Sequence, residues 1–500
     1  MMTKKVVIVG AGVAGLSTGC YLQMNNYETE IFEMHDLPGG LCTSWKRKNY
    51  TFDGCIHWLV GSSPSNSIYK VWMELHAIQD KEIVNFDEFC RIEGRGGEAF
   101  TVYTDADRLE EEMLRISPED KQVISEFINA VREFAKFDLP VDKAPELYGP
   151  IDGIKFLIKF YPYLKLLRKW KKITIGSYAK GFKNPFLREA FPLILGIDER
   201  CTMMALILTL SWMHLKCAGY PIGGSLKFAK SIEKRYISLG GKIHYDSKVS
   251  KIIVKNDRAV GIKLANGEAS DADIVISAAD GHYTIFEMLD GKYVDKEIMR
   301  MYNNWKLFPA ICQVSLAVAM SLNEHPHALN FPLDTPLLID DKNKVERLLI
   351  KIYNFDPTLA PKGRTPIIMR LPADYEYWSN LRMADIQRYR GEKERLAMNV
   401  IEILDKKLGD VASRVEVYDV ATPATYIGYA NNWRGSFEGW LLTPSAFGKR
   451  IRKTLPGLKN FYMVGQWVEP GGGLPAVALS GRNLAQIICR RDGKKFRTFT

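Results

Sequence analysis

VVIVGAGVAGLSTGCYLQMNNYETEIFE, residues 6–33, decides the fold. Its opening run is β-branched with no polar alternation, the pattern of a strand buried on both faces of a parallel sheet. Gly10-Ala11-Gly12-Val13-Ala14-Gly15 follows, then a helical stretch at LSTGCYLQMN and a second strand that ends on Glu33. This is a βαβ unit with G-x-G-x-x-G at its first turn and an acid closing its second strand. Gly10 permits the tight turn, Gly12 lets the backbone approach a pyrophosphate, and Gly15 lets helix and strand pack closely. The helix start at Val13 and Ala14 supplies free N–H groups and partial positive charge to the phosphates. Glu33 would accept hydrogen bonds from the ribose hydroxyls, which argues against a 2′-phosphate and so against NADP. The unit by itself does not choose between NAD and FAD.

The next residues do. Met34 leads into a second glycine pair, Gly39-Gly40, followed by Leu41. A nicotinamide dinucleotide has no need of such a pair, whereas a longer ligand lying across the sheet does. Here the chain resembles the flavin-binding proteins of the amine oxidase and phytoene desaturase superfamily, in which a GG motif follows the acid of the second strand. YTFDGCIHWLVG, residues 50–61, brings the resemblance closer to carotenoid desaturases, carotenoid isomerases and retinol saturase, whose pattern is near FD-x-G-x-H. Cys55 stands where that pattern has glycine, Gly54 comes one residue early, and Leu41 replaces an arginine frequent in amine oxidases.

The far end of the chain carries FYMVGQWVEPGGGLPAVALSGRNLAQIICR, residues 461–490, a buried strand, a glycine-rich turn and a helix opened by Leu474-Pro475. The resemblance identifies this as a C-terminal flavin motif, with Gly465, Gln466, Gly473, Leu474 and Pro475 at the cofactor. The helix start would face the pyrimidine edge of the flavin and stabilise negative charge there. Gln466 stands where many flavoproteins have an acid. Between these ends, residues 219–254 read as a helix between glycine pairs followed by strands, and Asn266-Gly267 signals a hairpin. The resemblance implies that Val249 contacts the adenine through its backbone.

From residue 105 to about 215 the pattern is helical. Ser117-Pro118-Glu119-Asp120 reads as a capping box opening a helix whose apolar face is Val123, Ile124, Phe127, Ile128, Val131 and Phe134. KFLIKFYPYLKLLRKWKK, residues 155–172, has seven basic residues, no acidic ones, and interleaved aromatic and leucine side chains. That composition suits either an anionic membrane interface or a solvated basic helix packed by its apolar face.

Composition bounds the rest. At 500 residues, 46% hydrophobic and 25% charged, the chain is globular and long enough for two or three units. The net charge of +10 suits phosphate-bearing ligands or a membrane surface, and nothing else in the sequence points to nucleic acid. Eight scattered cysteines with no CxxC pair imply a reducing cytoplasm, no disulfide framework and no metal site. The apolar start is interrupted by glycines and reads as a strand in place of a signal peptide. No apolar run reaches transmembrane length, so the expected location is cytoplasmic with membrane-surface contact.

The expected fold is therefore α/β: a Rossmann-like FAD-binding domain of glutathione reductase and amine oxidase type with an inserted α+β substrate domain. Residues 1–100, 219–285 and 417–500 are assigned to the FAD domain, and 101–218 and 286–416 to the substrate domain. The resemblance implies an FAD-dependent oxidoreductase acting on an apolar unsaturated small molecule by desaturation, saturation or isomerisation. Its electron donor or acceptor is not identified, since no second glycine fingerprint for a nicotinamide domain occurs. His57, Glu438 and Arg434 are the candidate catalytic residues. Two rival functions are a flavin amine oxidase and a non-enzymatic lipid-binding chaperone like the GDP dissociation inhibitors.

Overall fold

The computed structural model describes residues 3–138 and 140–500. A five-stranded parallel sheet forms one layer, in the spatial order Lys242–His244, Glu28–Phe32, Lys5–Val9, Ile274–Ser277 and Phe461–Met463. The central strand pairs Val6 with both Thr29 and Ile274. Val6, Val7 and Ile8 have no exposed surface, as a two-sided central strand requires. The helix Val13–Gln23 runs back over this sheet and packs against the helix Leu474–Arg491. The Ser17 hydroxyl donates to the Ala478 carbonyl at 2.8 Å, and the chain passes close at Gly481, where a Cβ would press on Thr18.

The second layer is a seven-stranded mixed sheet in the order Val415–Ala421, Ile311–Val318, Thr365–Pro372, Lys344–Ile352, Ala328–Leu338, Glu88–Glu93 and Ala99–Tyr103. One face packs on the helix Ile386–Leu408, forming a core around Leu348, Ile350, Trp378, Leu396 and Val400. The other face turns toward the parallel sheet. The expected division at residue 100 cuts through a hairpin of this second sheet. Ile92 pairs with Phe100 and also with Asn330, so backbone hydrogen bonding assigns residues 88–103 to the second layer. The division at 417 likewise falls inside the strand Val415–Ala421.

Helices at 106–214 cover one end. Ser117 does not cap an α-helix as its spacing suggests. Pro118–Asp120 forms a short 3₁₀ turn before the helix Lys121–Ala135, and Asp120 is drawn elsewhere. Its carboxylate accepts from the Ser117 hydroxyl and from the amides of Lys183 and Asn184. The predicted apolar face of the following helix is buried at Ile124, Phe127, Ile128, Val131 and Phe134, as its spacing requires. The helix Met203–His214 is apolar on every side and lies within this core. The strand Arg258–Leu264 turns back through Gly267 onto Ala269–Asp271, the hairpin that Asn266-Gly267 signals.

The basic run lies on the helix Pro150–Trp170. Ile151, Ile154, Leu157, Ile158 and Tyr161 on this helix are 57–76% exposed. Among the described residues no helix is long and apolar enough to cross a membrane.

Candidate cofactor and substrate cavity

A cavity of about 1080 Å³ opens between the two sheets. That is just above the range of roughly 300–1,000 Å³ typical of small-molecule sites. Its walls divide into a polar turn-rich part, a central belt of charged and aromatic groups, and an apolar part.

The first part is built where the parallel strands end. Gly10 has φ +98° and donates its amide to the Phe32 carbonyl at 2.8 Å, a backbone conformation that only glycine adopts without strain. A Cβ on Gly15 would overlap the Gly10 carbonyl oxygen, so helix and strand pack as closely as the spacing predicts. Gly15 itself is behind the cavity wall. Gly12, Val13 and Ala14 line it. A Cβ on Gly12 would meet nothing nearer than 3.9 Å, and no side chain caps the helix that Gly12 opens. The first amides of that helix therefore lack a protein acceptor and suit an anionic ligand.

Glu33 is 6% exposed and also lines the cavity. One carboxylate oxygen accepts from the Ala11 amide at 2.6 Å and the other from the His35 amide at 3.0 Å. Burial raises its pKa and these amides oppose the rise, so the group is held in place at a wall that hydroxyl donors can reach. Met34, Gly39, Gly40, Leu41, Lys248 and Val249 continue the same wall, and the Gly39 amide donates to the Ala11 carbonyl at 2.8 Å.

The glycine-rich turn near the C-terminal helix forms the next stretch. Gly465, Gln466, Gly473, Leu474 and Pro475 all line the cavity. Gly471, Gly472 and Gly473 have successive positive φ values of 89°, 47° and 71°. A Cβ on Gly472 would run into the Glu438 side chain and carbonyl, and one on Gly471 into Leu442. The Glu438 carboxyl faces the cavity, and burial pushes its pKa up to about 7 against the opposing effects of Arg370 and the Gly473 amide. No side chain caps the helix after Gly473, leaving a second set of free amides at the cavity. Two uncapped helix starts, an acid at the end of the second strand and an intervening glycine pair fit a long dinucleotide cofactor lying across the sheet edge.

The central belt contains His57, Lys351, Arg370, His327 and Tyr426. His57 packs against Trp58 with ring centroids 6.2 Å apart. Burial and the cations Arg370 and Lys351 hold its pKa well below the usual histidine value, so the imidazole is neutral at physiological pH. Burial likewise pushes His327 down to about 3. The Lys351 ammonium donates to the His57 carbonyl at 3.1 Å and lies 5.5–5.8 Å from the ring centres of Phe86, Tyr220, Tyr353 and Phe355. Burial brings its pKa down to about 7.

Sequence reasoning missed Lys351, Arg370, His327 and Tyr426. For the two cations a signal existed: LLIKI and IIMRL each place one basic residue inside an apolar strand run. Arg434 must be withdrawn from the site. It has φ +53°, is exposed, stacks over the Trp433 ring at 4.8 Å and does not line the cavity. The tight turn closed by Asn432 donating to the Ser436 carbonyl turns it outward.

Apolar groups complete the cavity, among them Ile194, Ile197, Leu208, Trp212 and Met213 from the helical end and Phe308 and Leu349 from the second layer. Residues 302–378 are rich in aromatic side chains; of Tyr302, Trp305, Phe308, Tyr353, Phe355, Tyr375, Tyr377 and Trp378, Phe308 lines this cavity and the others do not.

Residues 8–75 match the family model for an NAD(P)-binding Rossmann-like domain. Over 505 residues, the chain is 24% identical to a lycopene-forming phytoene desaturase of a Paracoccus species, covering 97% of both proteins. It is also 24% identical to the chloroplastic prolycopene isomerase of Daucus carota, covering 95% of this chain and 78% of that protein. Among solved structures, cyclohexylamine oxidase from Brevibacterium oxydans superposes with a TM-score of 0.62 at 14% identity, covering 99% of this chain and all of that one. The last likeness shows a shared fold, a Rossmann-like α/β architecture of the flavin amine oxidase type.

Proposed function

We propose that this chain is an FAD-dependent oxidoreductase acting on carbon–carbon bonds of an apolar unsaturated substrate, by desaturation, saturation or double-bond isomerisation. The observation that carries this reading is the continuity of the cavity. It runs from the uncapped helix start and Glu33 at one end, past the glycine-rich turn, into the apolar walls at Leu208, Trp212 and Met213. Similarity along nearly the full length to a desaturase and an isomerase of carotenoid chemistry supports it.

In this reading Gly12, Val13 and Ala14 hold the pyrophosphate, Glu33 the ribose, and Val249 the adenine. Gly465, Gln466, Gly473, Leu474 and Pro475 hold the flavin end. Bound there, FAD would supply hydride acceptance and donation. The chain's own residues position the substrate and exclude water: apolar side chains seat its hydrocarbon, and His57, half-buried and neutral, presents imidazole without charge. Glu438 is poised between its protonated and ionised forms near neutral pH, so it can hold or release a proton at the cavity wall. The electron partner is a separate molecule, or the net reaction is redox-neutral. The amine oxidase alternative is disfavoured by residues 50–61, whose pattern is nearer that of the carotenoid desaturases. The chaperone alternative leaves the complete nucleotide end without a purpose.

The basic helix Pro150–Trp170, with its exposed apolar side chains, suits contact with an anionic membrane from the cytoplasmic side. An apolar substrate would then pass from bilayer to cavity with little exposure to water.

The test is direct. The purified protein is expected to be yellow, and after anaerobic photoreduction its flavin should be reoxidised on mixing with a member of a panel of isoprenoids and unsaturated fatty acids. Glu33→Ala should retain less than about a tenth of the cofactor, since it removes a buried, ribose-directed acceptor. A colourless protein that takes up no FAD on reconstitution would refute the proposal.

A further inference from the structure

A pure hydrocarbon has no use for the two cations in the belt. Lys351 and Arg370 stand on adjacent antiparallel strands, with Lys351 opposite Ile368. Alternation along a strand puts Arg370 on the same face as Ile368 and Lys351, the face turned to the cavity. Among the described residues neither cation has a carboxylate within ion-pair distance. Lys351 has one acceptor, the His57 carbonyl, for its three N–H donors. Arg370 gives one amino group to the Gly54 carbonyl at 2.7 Å, while its Nε is buried with no partner.

The carboxylates nearby are committed or shared. Asp53 is buried and takes donors from Tyr220, Ser225 and Cys55, and it does not line the cavity. Glu438 lines the cavity but already accepts from the Gly473 amide. The imidazoles of His57 and His327 line the same region and have no side-chain hydrogen bond among the described residues. The belt thus offers a surplus of buried donors facing an open space, and burying such donors unpaired is costly.

We propose that the substrate is an unsaturated aliphatic chain ending in a carboxylate, which Arg370 and Lys351 bind while the apolar walls hold the chain. This rests on the reading of the cavity as the site of an apolar unsaturated substrate, and names its class. With one Arg370 amino group on the Gly54 and Cys55 carbonyls and Nε enclosed, the other amino group is left to donate to a carboxylate oxygen, and the ammonium adds a second charge from the neighbouring strand. Ile194, Ile197, Leu208, Trp212 and Met213 would take the hydrocarbon.

The experiment measures binding of oleate, oleyl alcohol and 1-octadecene to the FAD-loaded protein by calorimetry and by perturbation of the flavin spectrum. Oleate is expected to bind about ten- to a hundredfold more tightly than the alcohol, the range of a charge-assisted hydrogen-bonded pair. Arg370→Met and Lys351→Met should each remove most of that preference while leaving alcohol affinity and FAD content unchanged. Arg370→Lys should keep part of it. Equal affinity for oleate and alcohol in the parent protein would overturn the carboxylate proposal and leave the apolar-substrate reading standing. Binding of none of the three would overturn both. Loss of FAD from Arg370→Met, with the oleate preference intact on reconstitution, would assign Arg370 to the cofactor and also overturn the proposal.

Discussion

Glu438 is held in place by glycine. Gly472 must lack a side chain because Glu438 presses on it, and the Gly473 amide meets the carboxyl that results. Burial pushes that carboxyl up to about 7. An acid whose folded pKa is raised favours folding least once pH exceeds the folded value, because the native state then carries a poorly solvated charge. The parent protein should therefore lose stability relative to Glu438→Gln as pH rises from about 4.5 to 7, by on the order of 1–2 kcal/mol. Melting temperatures of the pair at pH 5 and pH 8 test this. A constant difference at the two pH values would mean that Glu438 is ionised throughout. The paired comparison isolates Glu438 from Asp280 and Lys351, which titrate in the same range.

Residue-level reading from sequence succeeded where a residue's type is dictated by backbone geometry. Gly10 and Gly15 are forced by the close passage of helix over strand, and such constraints leave a fixed spacing. It failed for Lys351 and Arg370, whose purpose comes from strand pairing across residues far apart in the chain. It failed for Arg434 because a single left-handed residue reverses where a side chain goes, and spacing carries no sign of that.

Among the elements, the helix Pro150–Trp170 is the most unusual. Ile151, Ile154, Ile158 and Tyr161 recur at helical spacing, so one exposed stripe is apolar, and Lys155 and Lys159 lie beside it. An ordinary solvated helix would turn that stripe inward. The protein should sediment with vesicles containing phosphatidylserine at low salt and be released as salt rises. Ile158→Glu should reduce this binding about tenfold or more, as it removes apolar burial and adds repulsion. Equal sedimentation with neutral and anionic vesicles would show that the basic residues add nothing, and undiminished binding by the variant would show that the helix does not lie on the bilayer. The sequence announced the basic composition of this helix. It could not announce which apolar residues stay outside, since that depends on how the neighbouring helices pack.

At the scale of the whole molecule, distant segments are tied by buried charge. Arg482 on the last helix donates to both carboxylate oxygens of Glu74, at 2.9 and 3.2 Å, and the Tyr21 hydroxyl donates to the same carboxylate at 2.8 Å. Glu74 and Arg482 side chains are only 2% and 3% exposed. Arg482→Met would leave the carboxylate buried without its partner, at a cost of about 3–5 kcal/mol. The pKa of Glu74 is lowered overall, since its bonds to Arg482 and Tyr21 outweigh burial, the largest single influence and an opposing one. Its contribution is present above the unfolded carboxylate value and lost as pH falls through the folded one, so the deficit of the variant should shrink in acid. Denaturant titrations of both proteins at neutral and acid pH measure this, and a deficit independent of pH would argue that packing alone is lost. Most of the parallel-sheet layer was legible from sequence because its turns are local. Its limits were not, because residues 88–103 join the second sheet through long-range pairing with Leu329 and Asn330.

The strand Phe461–Met463 pairs directly with Ile274–Ser277, which in turn pairs with Lys5–Val9. A ribosome must therefore deliver roughly 450 further residues after the strand at Lys5–Val9 before the sheet it begins can be completed. During that interval the early βαβ unit waits with apolar surface exposed, and folding dominated by such distant pairing is slow. Maturation should accordingly depend on chaperones. On the FAD reading proposed above, cells starved of riboflavin should accumulate this protein as aggregate or lose it to proteolysis, and unchanged soluble levels under riboflavin limitation would count against it.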